Sequence, residues 1–131
     1  MFQSVFISAE LSTLSIEQNK RRTESLNRVM QGLKLAGLTV DEVQGVYKGT
    51  SEKSFRVTTS NDELFNVSFI RGLARRLEQE SILWVKDDGK SFLDFIQSGD
   101  MVHIGTMREV ESVQGLEAYS VIGTKCYAVV K

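Results

Sequence analysis

Apolar and polar positions change period several times along the chain, and each change marks an element. Val5-Phe6-Ile7 is an uninterrupted apolar run, which predicts a strand covered on both faces and central in its sheet, closed by Ser8-Ala9. Ser15-Ile16-Glu17-Gln18 has the spacing of a capping box. Leu26, Val29, Met30 and Leu33 then recur at helical intervals, with Gly37 as the C-cap. Between Leu38 and Tyr47 the valines at 40, 43 and 46 are unevenly spaced, which predicts a strand with a bulge near Asp41 or Gln44. Phe55 and Val57 alternate with Ser54, Arg56 and Thr58, so a further strand is expected over 54–59. The segment joining the two strands reads as a polar loop with Gly49 at its tip.

The second half repeats the alternation of element types. Ser60-Asn61-Asp62-Glu63 is a second capping box, and Val67, Ile70, Leu73, Ala74 and Leu77 form one face of a helix reaching about Glu78. Phe65 and Phe69 flank that face, either widening the core contact or reaching a second subunit. Ile82-Leu83-Trp84-Val85 is another continuous apolar strand, and Asp88-Gly89 is a hairpin turn returning through Phe92, Leu93 and Phe95. Strands are also expected over 101–110, 116–122 and 126–130, divided by turns at Gln114-Gly115 and Gly123-Thr124. The order β-α-β-β-α-β with further strands predicts an α+β, ferredoxin-like antiparallel sheet with two helices on one face. The opposite face then needs cover, either from the C-terminal strands or from copies of the chain packed as a trimer.

Composition narrows the function classes. The 131 residues fit one domain over 1–131, large enough to bury a core without disulfide or metal staples. Sixteen basic against seventeen acidic side chains give a net charge of −1, so the broad positive field of a nucleic-acid binder is missing, and Arg21-Arg22 and Arg75-Arg76 read as solvated helix faces. No apolar run approaches the roughly 20 residues of a membrane span, and no signal-like N-terminus is visible, so a cytoplasmic protein without membrane contact is expected. The lone Cys126 reads as a small buried hydrophobe. With His103 as the only histidine, neither a metal centre nor a histidine-activated nucleophile is supported.

What remains is Tyr47 and Glu52, an aromatic hydroxyl and a carboxylate flanking one loop; a solvated hairpin with ordinary surface charge is the competing reading. At this point the chain resembles the phage-encoded S-adenosylmethionine lyases, long called S-adenosylmethionine hydrolases. The matching pieces are Val5-Phe6-Ile7-Ser8-Ala9, Gly45-Val46-Tyr47, Glu52-Lys53-Ser54-Phe55-Arg56-Val57, Glu78-Gln79-Glu80-Ser81-Ile82-Leu83 and Gly105-Thr106-Met107-Arg108-Glu109-Val110, in order and over most of the chain. The loop between Tyr47 and Glu52 is several residues shorter than in the family relative it resembles. The resemblance implies a homotrimer that binds S-adenosylmethionine between subunits and splits it into methylthioadenosine and homoserine lactone without a cofactor, emptying a phage's host of its methyl donor. It carries Tyr47 and Glu52 over as site residues, followed by Glu78 and Gln79. Ser8 and Glu109 are further candidates to line the cleft, with a structural role as the competing reading.

The chemistry suits so sparse a set. The substrate's own carboxylate would attack its γ-carbon and expel the thioether from a positive sulfonium, so two formal charges vanish as the bond forms, a change favoured where water is excluded. Orientation alone contributes several kcal/mol, roughly up to the 7 to 11 of good intramolecular systems. Glu52 would hold the α-ammonium, and Tyr47 would donate a hydrogen bond or present its ring to a cation. Hydrolysis would instead require Glu52 or Glu78 as general base with a raised pKa. A non-enzymatic trimeric module binding a nucleotide-like ligand, or an inhibitor that captures a host protein, are readings of a different class.

Overall fold

Strand pairing in this protein closes on itself. The computed structural model describes residues 3–59 and 67–131; the capping box expected at Ser60–Glu63, and Phe65, lie outside the described residues. Within them run β1 (Gln3–Ser8), α1 (Ile16–Leu35), β2 (Thr39–Tyr47), β3 (Thr50–Thr59), α2 (Val67–Arg76), β4 (Ser81–Lys86), β5 (Lys90–Phe95), β6 (Met101–Val110), β7 (Ala118–Ile122) and β8 (Lys125–Val130). The strands form a closed antiparallel barrel in the order β1-β3-β2-β7-β8-β6-β5-β4, with β4 pairing back to β1. This corrects the ferredoxin-like expectation. The neighbours β4-β1-β3-β2 and the two helices come in the anticipated sequence, but the sheet does not stop at β2 or β4. Strands β5 to β8 carry the ladder round and join its two edges, so no open sheet face is left.

Local signals account for the elements. Ser15 caps α1 through a complete capping box with Gln18, the amide of Gln18 donating to Ser15 Oγ at 3.1 Å and the amide of Ser15 to Gln18 Oε1 at 3.0 Å. The C-terminus of α1 ends in a Schellman motif at Gly37, where the amide of Leu38 donates to Leu33 O. The β2–β3 hairpin is tighter than expected. Its loop is only Lys48-Gly49, both with positive φ, a type I′ turn, and Glu52 lies inside β3 opposite Gly45. Nor is β2 bulged: its register against β3 is continuous from Thr39 to Tyr47. The uneven valines reflect cover on both faces of β2, and the register shift falls instead between Ser91 and Phe92 in the β5–β6 pair.

Register assigns the faces. Across β1, β3 and β4, Val5, Ile7, Phe55, Val57, Ile82 and Trp84 share one face and form the core with Leu26 and Met30 of α1 and Ile70, Leu73 and Ala74 of α2. Because helices cannot occupy an eight-stranded barrel, this face points outward and the main core lies between barrel and helices. The opposite face points into the lumen and is mixed, with buried Phe6 and Val43 beside Ser4, Ser8, Asp41, Ser54, Arg56 and Thr58; Ser4 and Thr58 share a hydrogen bond of 2.8 Å across β1–β3. Cys126 is half-buried rather than buried, and His103 tilts against Phe92 with ring centroids 5.1 Å apart.

One charge lies deep under α2. Asp94 of β5 is fully buried, takes the indole N–H of Trp84 at 3.1 Å, and meets Arg71 of α2 at 3.0 Å. Arg71 also donates to Ile96 O at 3.3 Å, so one guanidinium ties α2 to β5 and its exit. Replacing Arg71 by Met strands a buried carboxylate and should cost about 3–5 kcal/mol in urea unfolding, whereas the double change Arg71→Met with Asp94→Asn, which keeps an acceptor for Trp84, should recover most of that loss. Equal losses in the two proteins would show that the pair does not anchor the helix.

Candidate functional site

The lumen is hollow at one end. A cavity of about 680 Å³ opens beside the β2–β3 hairpin, within the range of small-molecule sites. Its apolar wall is Leu83, Leu93, Met107 and Val129, and its polar groups come from Tyr47, Thr50, Glu52, Ser120 and Tyr127. A shallower hollow of about 500 Å³ lies over the same hairpin, but Glu42, Gln44, Ser51 and Lys53, from the outer face of the sheet, dominate it. The lumen cavity is the better candidate because it joins an apolar wall to a few convergent polar groups.

The hairpin places the two principal sequence-predicted residues. Tyr47 opposes Thr50 and Glu52 opposes Gly45, so Tyr47 and Glu52 sit two residues apart on the lumen face and line one cavity. Tyr47 is 58% exposed at the mouth, and Lys48 Nζ lies 5.3 Å from its ring centroid. The amide of Lys48 donates to Glu117 O at 2.8 Å, and its ammonium pairs with the Glu117 carboxylate at 3.4 Å, which fastens the hairpin tip to the segment entering β7.

Glu52 remains open to solvent as a residue, yet protein packed around its carboxyl raises its pKa above 4.5; the nearby Ser8 hydroxyl opposes the rise and the Glu10 carboxylate adds to it. Ser8 is buried beside it, with Oγ donating to Lys53 O at 2.9 Å and accepting the amide of Glu10 at 3.1 Å. Gln79 is half-buried and turns toward this network, donating to Glu10 O at 3.2 Å. Ser8 and Gln79 thus stand behind Glu52 rather than on the cavity wall.

Glu78 is not brought to the cavity wall. It is exposed and occupies the left-handed position of a second Schellman motif, with φ 59, where the amide of Gln79 donates to Ala74 O at 3.0 Å and that of Glu78 to Arg75 O at 3.0 Å. Glycine is the usual residue there, and a carboxylate also opposes the helix dipole, so two local terms disfavour glutamate. Glu109 faces the lumen at its other end, in a hollow of about 300 Å³ with Arg56 and Tyr127, and pairs with Lys125 at 3.6 Å. Arg56 is held there by Asp41, Nη2 to Oδ2 at 2.8 Å, with its guanidinium 6.0 Å from the Tyr127 centroid.

The β6–β8 residues Met107, Ser120, Tyr127 and Val129 were not anticipated as site residues. Their signal is alternation along β7 and β8, which marks a half-buried strand but not what its inner face encloses. The family model described as the S-adenosylmethionine lyase family matches residues 5–130, nearly the whole chain. The chain belongs to that family. Its membership agrees with the resemblance carried by the motifs from Val5 to Val110, and the family name points to S-adenosylmethionine as substrate and to a lyase activity. A comparison with individually curated proteins returned no match.

Two outcomes follow for this lyase-family chain. Glu78→Gly should raise stability by up to about 1 kcal/mol in urea unfolding, because glycine pays no left-handed penalty; a loss of stability would mean that Glu78 has a stabilising partner. A carboxyl whose pKa is raised on folding favours the folded state while protonated and loses that advantage as pH climbs above 4.5. Glu52→Gln should therefore be more stable than wild type at neutral pH, with the gap closing below that value. A gap that widens in acid would contradict the raised pKa.

Proposed function

We propose that this protein cleaves S-adenosylmethionine to methylthioadenosine and homoserine lactone inside the barrel mouth. The observation that carries the reading is a single cavity in which Glu52 and Tyr47 face Leu83, Leu93, Met107 and Val129. The apolar wall strips water from the substrate, which raises separated charges more than merging ones and so favours collapse of carboxylate and sulfonium. The Glu52 carboxylate takes the α-ammonium and turns the substrate carboxylate toward its γ-carbon. The raised pKa of the free protein falls when that cation arrives, because an adjacent positive charge favours the ionised form. Tyr47, at the lip, donates from its hydroxyl or offers its ring to the cationic end of the substrate. The family resemblance supports three copies of the chain, with neighbours covering the open mouth at Tyr47. It also supports a setting in the cytoplasm of a phage-infected bacterium, where loss of the methyl donor blunts methylation-dependent defence.

A second reading draws on the same carboxyl: a raised pKa also suits a general base, so Glu52 could activate a water for hydrolysis. Purified protein incubated with S-adenosylmethionine in ¹⁸O-water separates the two. Intramolecular attack predicts methylthioadenosine together with homoserine lactone free of solvent oxygen in the earliest samples. Homoserine labelled from the outset would establish water attack, and an intact substrate would remove both. Glu52→Gln should lower kcat/KM by on the order of a hundredfold or more, since it releases the group that orients the substrate. Tyr47→Phe should retain most turnover if the ring contributes and lose it if the hydroxyl does. Sedimentation of the free protein tests the trimer.

A further inference from the structure

The pairing of β1 with β3 ends at Ser8 opposite Ser54, yet β3 runs on toward Thr50. At Lys53, one residue past that end, both backbone groups on the β1 side find side-chain partners. The amide of Lys53 donates to Glu10 Oε2, and its carbonyl accepts from Ser8 Oγ at 2.9 Å. Glu10 is itself held from two directions, its amide donating to Ser8 Oγ at 3.1 Å and its carbonyl accepting from Gln79 Nε2 at 3.2 Å. Arg22 of α1 fixes the same turn, donating to Ala9 O at 2.7 Å and to Leu77 O. The side chains of Ser8 and Glu10 thus extend the β1–β3 ladder as far as the residue next to Glu52.

We propose that Glu10 is a positioning residue for Glu52: its carboxylate fastens β3 at Lys53 and sets a second negative charge beside the Glu52 carboxyl. The proposal rests on the assignment of Glu52 to substrate cleavage. A neutral acceptor would suffice to cap Lys53, so a carboxylate at this position adds something capping does not require. The lysines of the hairpin are engaged elsewhere. Lys48 at the turn pairs with Glu117 at 3.4 Å, and Lys53 turns to the outer face and pairs with Glu42 at 3.2 Å. Arg22 is spent on backbone carbonyls, and at the end of α2 Glu78 adds a further acidic group next to Gln79. Two carboxylates held near each other repel, and that repulsion is relieved by a proton or by a substrate cation. Glu10 therefore strengthens the demand of Glu52 for a positive group while holding its strand still.

The test compares Glu10→Gln, which keeps an oxygen for the Lys53 amide but loses the charge, with Glu10→Ala, which loses both. The Glu52 carboxyl is titrated by ¹³C NMR in each folded protein, alongside kcat and KM for S-adenosylmethionine. Glu10→Gln should move the Glu52 midpoint down and raise KM while kcat stays within about twofold. Glu10→Ala should lower kcat on the order of tenfold to a hundredfold, because a small misplacement of an orienting group is costly. A Glu52 midpoint unchanged in Glu10→Gln, or a kcat unchanged in Glu10→Ala, overturns the proposal. Because the titration is read without turnover, a moved midpoint in a protein that leaves S-adenosylmethionine intact supports the coupling and rejects the cleavage reading.

Discussion

Closure of the barrel between β6 and β8 is the constraint on which the rest depends. At Gly105 the strand adopts φ 143, and a side chain there would place its Cβ 2.3 Å from Val130 O, so only glycine lets the two backbones approach. From that point the ladder continues from Thr106 opposite Val130 to Val110 opposite Cys126, and β8 passes it through β7 to β2. Once the ring is shut, the sheet face opposite the helices becomes a lumen. Leu83, Leu93, Met107 and Val129, on the neighbouring strands β4, β5, β6 and β8, then form one wall of a cavity facing Tyr47 and Glu52 instead of meeting bulk water.

Closure also explains why the protein is built with its main core outside the barrel. The helices bury the outer faces of β1, β3 and β4 against Leu26, Met30, Ile70, Leu73 and Ala74, so most hydrophobic stabilisation is supplied where no ligand goes. The lumen packs only in part, through Phe6 and Val43, and can hold a cavity, serines and charges, as eight-stranded barrels that enclose one small molecule do. Arg71 and Asp94 lock α2 onto this frame. The end of α2 then presents Gln79 to the Ser8-Glu10 network behind Glu52, which ties the packing of a helix to the placement of a site carboxyl.

The sequence was most legible where one face alone decides. The capping box at Ser15, the helix stripe of Leu26 and Met30, and the doubly covered run Val5-Phe6-Ile7 all follow from local periodicity, and so do the strands at the C-terminus. Closure was not legible, because it depends on the register of strands whose own sequences say only that they are strands, and on a contact between Gly105 and Val130 that no local pattern announces. Glu52 read as a loop residue because Thr50-Ser51-Glu52-Lys53 carries no apolar alternation; the inner face of that stretch looks onto a cavity, and its outer face is charged. Asp94 hides inside Phe92-Leu93-Asp94-Phe95-Ile96, where the distant partners Arg71 and Trp84 make a buried charge tolerable. Tyr47 and Glu52 stand out locally as an aromatic and a carboxylate flanking one turn, but the wall opposite them comes from strands whose role is invisible until the ring is closed.

The central claim is that the substrate is held within the barrel mouth, with its cationic end at Glu52 and its wall supplied by the C-terminal strands. A crystal structure with methylthioadenosine bound tests this most directly. The account predicts the nucleoside in the cavity between Tyr47 and Met107, its sulfur side toward Glu52, with or without a neighbouring copy across the opening. Methylthioadenosine seated on the outer face of the β2–β3 hairpin, with the lumen closed around its own side chains, would contradict it.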